Sequence, residues 1–181
     1  MEKRATKQKW YELQQPQHNY VHFLNSPKII YPDIAKSPRF AMDEKGYYGS
    51  NTMYFIPSKD YYLLALLNSS VGNFYFQKTC AGLEGKSETY LRFFGQYLEG
   101  FPVRIIDSNN SEDNKHLNRI VKLAVRMPQL NKDVQRAKTS HKKEVIQRQI
   151  KATDKQIDKL VYKLYDLTEN EIEIVEDRVI R

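Results

Sequence analysis

The chain has very little cysteine, which limits how its fold can be held together. Cys80 is the single cysteine among 181 residues, so no disulfide can form within the chain. A domain of this length can bury a sufficient hydrophobic core without disulfides. The low cysteine content is typical of proteins from a reducing compartment, and we expect a cytoplasmic location.

The chain also lacks a long hydrophobic run. Its most apolar stretch, YYLLALLNSSVGNFYF at residues 61–76, is interrupted by Asn68, Ser69 and Ser70. A membrane-spanning helix needs about 20 consecutive apolar residues, so we predict no membrane span. The spacing instead predicts two short core helices with a break between them. The first should begin just after Asp60, whose carboxylate favours a helix N-terminus.

Recognisable catalytic motifs are absent as well. The chain has no Pro-Pro pair, which excludes a methyltransferase motif of the Asn-Pro-Pro-Tyr type, and no glycine-rich loop for S-adenosylmethionine. The segment GLEGKS at residues 82–87 resembles the end of a phosphate-binding loop. However, Cys80 occupies the position where that motif requires a glycine. We therefore expect a flexible loop there, in which Lys86 can still meet a phosphate.

One catalytic alternative stays open. Asp33 follows a proline, and Asp43 and Lys45 form a D-x-K segment, an arrangement that resembles the metal site of some nucleases. In such a site the two carboxylates would hold Mg²⁺ and Lys45 would stabilise negative charge. Against this, residues 43–46 are predicted to form an exposed turn, which suits a preorganised metal site poorly.

Positive charge is plentiful and unevenly distributed. The net charge is +7, with 29 Lys and Arg against 22 Asp and Glu. Residues 111–151 contain 11 basic and 4 acidic residues, whereas residues 168–181 contain 2 basic and 5 acidic ones. The basic segment suits a surface that lies along phosphates, and a solvated helix face is the alternative.

Three zones differ in composition. Residues 1–26 are polar and are interpreted as a lead-in segment, partly disordered. Residues 27–110 form the mixed zone, in which β-branched and aromatic clusters and turn residues alternate. Its predicted elements are strands at 28–31, 39–42, 53–56 and 102–106, the two short helices, a turn at 43–46, a loop at 82–87 and a helix at 90–98.

The third zone, residues 111–181, is predicted to be a helical arm. It contains no glycine, and its apolar residues recur at 3–4 spacing, which favours an antiparallel helical hairpin or a coiled coil. Pro128 should kink or split the first helix. Thr168 and Glu171 match a capping box, so a final helix should follow over 169–178. The predicted fold class is α/β (mixed α+β): a recognition domain with a small sheet and packed helices, followed by a C-terminal helical arm.

The order of these pieces resembles a known family. The chain contains PKIIYPDIAKSPRFAMDEKGYYGSNTMYFIP, then DYYLLALLNSSVGNFYF, then YLRFFGQYLEGFPVRI, then a helical segment ending DKQIDKLVYKLYDLTENEIEIVE. Together, over residues 10–178, they resemble the C-terminal specificity domain of TaqI-like adenine-specific DNA methyltransferases. That domain also occurs in single-chain type II restriction–modification enzymes, and it is similar to the target-recognition domains of type I specificity subunits.

The resemblance implies a division of labour between polypeptide parts. This chain would read a short double-stranded DNA sequence in the major groove, and its helices would dock on a methyltransferase or endonuclease domain or subunit. Adenine methylation with S-adenosylmethionine, and any chemistry that needs Mg²⁺, would occur in that catalytic part, where adenine is flipped out of the stack. We therefore expect no catalysis, cofactor or metal in this chain itself. Whether it is a fragment, a standalone specificity protein or a remnant of a split gene stays open.

Side-chain chemistry selects the candidate DNA contacts. Arg39 can donate bidentate hydrogen bonds to guanine, and Asn51 can pair with adenine. The phosphate-binding candidates are Lys36, Lys45 and Lys86, and the remaining candidates are Tyr47, Tyr48 and Arg92. A plain surface role is the alternative for each. The alternative for the whole chain is a helical protein-interaction module that does not read DNA.

Overall fold

The computed structural model describes residues 18–85 and 88–179. Within these ranges the chain forms, in order, α1 (His18–Leu24), β1 (Lys28–Pro32), β2 (Ile34–Ala35), β3 (Ala41–Asp43), β4 (Met53–Ile56), α2 (Tyr61–Asn68), α3 (Ser70–Thr79), β5 (Ala81–Glu84), β6 (Thr89–Arg92), α4 (Gly95–Glu99), α5 (Ser111–Arg136), α6 (Ser140–Leu164) and α7 (Glu169–Val179). The predicted mixed α+β class with a helical C-terminal region is confirmed. Of the predicted lead-in segment, α1 is described and residues 1–17 lie outside the described residues.

The strands form two small sheets, where the sequence suggested one. In the first sheet β1 lies between β3 and β4, and in the second β6 lies between β2 and β5. Every strand pair is antiparallel. Asp33 alone separates β1 from β2, so the chain passes from one sheet to the other through a single residue.

The apolar stretch at residues 61–76 folds as predicted. It forms most of α2 and α3, which meet at Ser69. The Asp60 carboxylate accepts a hydrogen bond from the backbone N–H of Tyr62 at 2.8 Å, and Ser69 Oγ accepts one from that of Gly72 at 3.1 Å. A Cβ on Gly72 would lie 2.5 Å from the Leu66 carbonyl oxygen, so the close junction of the helices requires glycine there. Across the described ranges, no helix is long and apolar enough to cross a membrane.

One hydrophobic core joins the sheets, the paired helices and the arm. Phe76 is fully buried, and its ring centroid lies 5.3 Å from that of Phe93 and 5.6 Å from that of Phe101. Ile120 of α5 and Val161 of α6 are fully buried in the same cluster. The arm therefore packs on the mixed zone, α5 against α2 and α7 against α3. The proposed domain boundaries stay a prediction.

The predicted helical hairpin is present in the arm. Ile120 packs in one cluster with Leu160, near the far end of α6, whereas Leu130 packs with Ile146, near its beginning. This order shows that α5 and α6 run antiparallel. The capping box before α7 is also present, because Thr168 N donates to Glu171 Oε2 at 2.8 Å and Glu171 N donates to Thr168 Oγ1 at 3.4 Å.

Of the prediction that Pro128 kinks or splits the first helix, the split is wrong. α5 continues through Pro128 to Arg136, and the break comes only at residues 137–139. Proline removes one backbone donor from the helix, but Leu130 remains buried against α6 beyond it. Tertiary packing on both sides of the proline thus holds the helix together. Thr139 caps the next helix by accepting from Lys142 N at 3.2 Å.

Four local predictions in the mixed zone need correction. Residues 81–84 and 89–92 are paired strands, where a loop and the start of a helix were expected, and the only helix in the second region is α4. The strand expected at 39–42 covers Ala41–Asp43. Residues 102–106 form no strand. The hydroxyls of Tyr165 and Tyr62 donate to the carbonyls of Pro102 and Arg104 at 2.6 and 2.8 Å. These carbonyls are therefore satisfied by side chains, without a neighbouring strand.

A buried ion pair holds the first sheet to the turn that follows it. Lys28 Nζ lies 2.6 Å from Asp43 Oδ2, and both side chains are 1% exposed. Lys28 also donates to the Leu24 carbonyl at 2.7 Å. Burial alone would raise the pKa of Asp43, but hydrogen bonds from Lys28 and from the backbone of Lys45 and Tyr47 hold it below its usual range.

We expect Asp43→Asn to lower the free energy of unfolding by about 3–5 kcal/mol at neutral pH, because it leaves the Lys28 ammonium buried without an anion. In the parent chain a carboxylate with a lowered pKa stabilises the fold fully above about pH 4 and loses that contribution as the pH falls. The variant should lack this part of the acid dependence. Urea unfolding across pH measures both effects, and Glu99→Gln on an exposed site should change neither.

Leu160→Asp tests the packing of the arm. Leu160 is 6% exposed in the core, so a carboxylate there should destabilise the chain by more than about 3 kcal/mol. The matched control is Lys159→Asp, which places the same residue on the exposed side of the helix. Thermal unfolding followed by circular dichroism compares them. Equal stability of the two variants would show that the packed seam does not stabilise the arm.

Candidate nucleic-acid interface

Asp33 organises the surface at which the two sheets meet. Its backbone N–H donates to the Thr52 carbonyl at 2.9 Å, and its carbonyl accepts from Phe93 N at 2.8 Å. Its carboxylate accepts from Arg92 Nη2 at 2.8 Å. One residue thus ties the start of β4, in the first sheet, to the end of β6, in the second.

The exposed face of β6 presents alternate residues of the chain. Tyr90 and Arg92 point away from the core, whereas Leu91 and Phe93 are 7% and 1% exposed. Phe94 continues the extended backbone, and its ring centroid lies 4.4 Å from the Arg92 guanidinium carbon, a cation–π distance. Arg92 is therefore held by a carboxylate on one side and an aromatic ring on the other.

Lys36 lies on the same face. Its ammonium forms an ion pair with Glu88 and stands 5.7 Å from the centroid of the Tyr90 ring. The hydrogen bond to Glu88 raises the pKa of Lys36, and Lys36 in turn lowers the pKa of Glu88. The charge of Arg39 opposes the rise in the pKa of Lys36. Arg39 is exposed and has no ion pair with any carboxylate in the described part of the chain.

The loop between β3 and β4, residues 44–52, holds four further candidates. Asp43 begins it by accepting from the backbone N–H groups of Lys45, Gly46 and Tyr47 at 2.9, 3.1 and 2.7 Å. Gly46 has φ +73°, and a Cβ there would lie 3.0 Å from the Asn25 carbonyl oxygen, so this turn requires glycine. The turn predicted at 43–46 is thereby confirmed.

Side chains anchor the same loop, which we call the 44–52 loop, to neighbouring elements. Tyr48 donates to Asn25 Oδ1 at 2.8 Å, and Tyr61 of α2 donates to Glu44 Oε1 at 2.9 Å. Even so, Tyr47 and Tyr48 are 60% and 67% exposed, and Lys45 and Asn51 are exposed as well. The loop is held in one conformation while its aromatic, amide and cationic groups face solvent.

The candidates fall into two neighbouring groups. Lys36, Arg39 and Arg92 gather around β2 and β6, and the other described candidates lie in the 44–52 loop. Asp33 joins the groups through Thr52. Tyr54 of β4 lies close enough to Arg92 to add to the pKa rise that the hydrogen bond to Asp33 causes. Lys86 lies outside the described residues.

Sequence reasoning missed the partners that orient these candidates. Asp33 was weighed only as a metal ligand, and Tyr90 and Phe94 were placed in a helix. The signal that identifies them is the alternation at residues 90–93, in which the apolar Leu91 and Phe93 are buried while Tyr90 and Arg92 are partly exposed. If residues 90–98 formed a helix, Tyr90 and Phe94 would lie on one face of it and Arg92 would lie on another.

The geometry disfavours the nuclease arrangement. Asp43 uses one oxygen for Lys28 and Tyr47 and the other for Lys45 and Gly46, so it has little capacity left for Mg²⁺. Asp33 Oδ2 accepts from Arg92, and Asp33 Oδ1 is buried without a hydrogen-bond partner in the described part of the chain. Over residues 18–85 and 88–179, no group of three or more His, Cys, Asp or Glu side chains is arranged to hold a metal ion.

In these features a folded scaffold presents surface side chains. A model of the TaqI-like C-terminal specificity domain matches residues 2–103, more than half of the chain, and the chain therefore belongs to that family. A domain of this family is a specificity domain of restriction–modification enzymes. The match includes both candidate groups and ends before α5, so the arm lies outside it. No curated protein matches the chain.

Asp33→Ala should shift the urea midpoint to a lower concentration, because it strands the half-buried Arg92 guanidinium without a carboxylate. Glu88→Ala removes the carboxylate of the exposed pair with Lys36 and should leave the midpoint almost unchanged, since solvent screens such pairs. If both variants unfold at the parent midpoint, Asp33 does not hold the sheets together through its side chain.

Proposed function

We propose that this chain is the target-recognition part of a restriction–modification system and binds a specific short sequence in double-stranded DNA. In this proposal a separate adenine-specific methyltransferase or endonuclease domain or subunit performs the reaction. The chain is then not an enzyme on its own. S-adenosylmethionine and Mg²⁺ belong to the catalytic part, and the system acts in the cytoplasm. Membership of the specificity-domain family supports this assignment.

The observation that carries the proposal is the anchored but exposed 44–52 loop beside β6. A loop that is already ordered loses little conformational entropy on binding, which favours affinity and fixes the position of each side chain. Amide, cationic and aromatic groups on such a loop are those that read base edges and bind phosphates. The Asp33 junction keeps the second candidate group at a constant position beside the loop.

The contacts divide the proposed roles among the candidates. Arg39, without a carboxylate partner in the described ranges, is the better guanine reader, whereas Arg92 already bonds to Asp33. Asn51 would pair with adenine. Lys45 and Lys86 would bind phosphates, as would Lys36 after exchanging Glu88 for a phosphate. Tyr47 and Tyr48 would reach a groove or stack.

Two exposed aliphatic side chains are compatible with a protein partner in addition to DNA. Ile105 is 84% exposed and Val103 is 44% exposed, in the segment between α4 and α5. Exposed aliphatic side chains that lie close together along the chain are suited to contact another protein surface. We assign this segment to contact with the catalytic part. Binding to a protein alone, without DNA, is the alternative function that the experiment below must distinguish.

Arg39→Ala and Asn51→Ala should each weaken discrimination between the preferred duplex and mismatched duplexes by about tenfold, since one bidentate base contact contributes that order of selectivity. Selection from a random duplex library first identifies the preferred sequence, and fluorescence anisotropy then measures affinities. The matched controls are Arg136→Ala and Asn170→Ala, both on exposed helix positions of the arm, which should keep the parent preference.

Two results would contradict the proposal. The first is a selection that enriches no sequence while the chain remains folded. The second is binding to a methyltransferase or endonuclease subunit combined with indifference to every duplex, which would favour the protein-interaction alternative.

A further inference from the structure

We propose that α5 binds the phosphate backbone of the DNA through an exposed face made of Lys115, Arg119, Lys122 and Arg126, which we call the α5 basic face. It would supply sequence-independent affinity, while the two candidate groups of the recognition part supply sequence preference. This inference rests on the proposed function, since it names the part of the chain that holds the same duplex.

The net charge of the recognition part, residues 27–110, is too small to account for strong binding to DNA phosphates. Residues 27–110 contain 9 basic and 8 acidic residues, a net charge of +1. Three of the basic side chains, those of Lys28, Lys36 and Arg92, are already paired with carboxylates. Binding to duplex DNA depends strongly on cations that replace the counterions of the phosphates. The net charge of the recognition part is therefore small for this role, whereas residues 111–151 contain 11 basic and 4 acidic residues.

The α5 basic face has the geometry of a continuous cationic stripe. Its residues are spaced by four, three and four positions, so they lie on one side of the helix. All four are exposed, whereas Ile120 and Ala124 on the opposite side are 0% and 3% exposed. At about 1.5 Å per residue the stripe extends over about 16 Å, a length that several phosphates occupy along duplex DNA.

Glu112 and Asp113 precede these cations in the first turn of α5, and the next acidic residue of the helix is Asp133. The segment NKHLNRIVKLAVRMPQLNK, residues 114–132, contains five Lys or Arg and no Asp or Glu. None of the four side chains forms an ion pair with a carboxylate in residues 18–85 or 88–179. On α6 the basic residues alternate with acidic ones, and Arg148 is paired with Glu144 at 2.5 Å. This difference distinguishes α5 from the other basic helix.

The position of α5 favours cooperation with the recognition part. α5 packs against α2, and both contribute to the main hydrophobic core. The 44–52 loop is bonded to the same α2 through Tyr61 and Glu44. A shared core keeps the α5 basic face at a constant position relative to the loop, as simultaneous contact with one duplex requires.

The test replaces Lys115, Arg119, Lys122 and Arg126 together with glutamine in the full chain, since glutamine has a similar helix propensity. The matched control replaces Lys151, Lys155, Lys159 and Lys163 of α6, which are also exposed, and removes the same charge. Circular dichroism checks that both variants fold. The probes are the selected preferred duplex and a mismatched duplex of the same length, with affinity measured by anisotropy across salt concentrations.

We expect the α5 variant to lower the magnitude of the slope of log affinity on log salt by at least about 2, because each lost phosphate contact contributes about 0.9. Its affinity at low salt should fall at least about tenfold, equally for preferred and mismatched duplexes. The α6 variant should change the slope by less than half as much. A double substitution of Lys115→Arg and Lys122→Arg, which keeps the charge, should bind like the parent.

Three outcomes would overturn the inference. Equal losses in the α5 and α6 variants would show a general charge effect. Parent-like DNA binding by the α5 variant, with loss of binding to a catalytic subunit, would assign the face to an acidic protein surface. A parent chain that binds no duplex would overturn the proposed function together with this inference, whereas the first two outcomes leave the proposed function intact.

Discussion

The structure of the candidate interface depends on Asp33. It is the single residue between two strands of different sheets, and all three of its polar backbone and side-chain groups engage other segments. β1 ends just before Asp33 and β2 begins just after it, and the two strands belong to different sheets. A shift of Asp33 would therefore move both candidate groups. Its carboxylate also sets the state of Arg92, which it neutralises on the exposed face of β6.

The 44–52 loop is held at its start by the contacts of one residue, Asp43. Asp43 is buried against Lys28 and accepts three backbone hydrogen bonds, so it ends a strand, neutralises a buried ammonium and shapes the turn at once. This explains how a loop with four exposed candidate residues has a defined conformation. It also explains why a D-x-K segment in this chain is a structural turn, since its carboxylate is occupied by donors of the chain itself.

In this fold, the residues proposed to contact bases and those proposed to contact phosphates lie in different parts of the chain. The family match, residues 2–103, covers the part with the two candidate groups and has a net charge of +3, whereas residues 111–151 of the arm, outside the match, have a net charge of +7. Base contacts require fixed geometry but few charges, and phosphate contacts require charges but no sequence information. One core joins the two parts, so a rigid scaffold can serve both needs.

Several helices could be predicted from local sequence patterns alone. The paired helices after Asp60, the antiparallel hairpin and the capping box at Thr168 follow from 3–4 spacing and capping residues, and the structure contains each of them. These signals are strong because the interactions that make a helix lie within four residues of one another. The family resemblance was also readable from the chain itself, from the order of these segments.

The strands and the site show what only the tertiary structure decided. β5 and β6 were expected as a loop and a helix. A strand is stabilised by pairing with a second strand, and the local sequence does not show which segment that is. Pro128 was expected to kink or split α5, yet α5 is continuous through it, with Leu130 packed against α6. The pairing of Asp33 with Arg92 joins residues 59 positions apart. By itself the sequence thus determined the paired helices after Asp60, the helices of the arm, the charge distribution and the kind of family. The folded chain decided which distant side chains meet, because those contacts depend on how the elements pack in three dimensions.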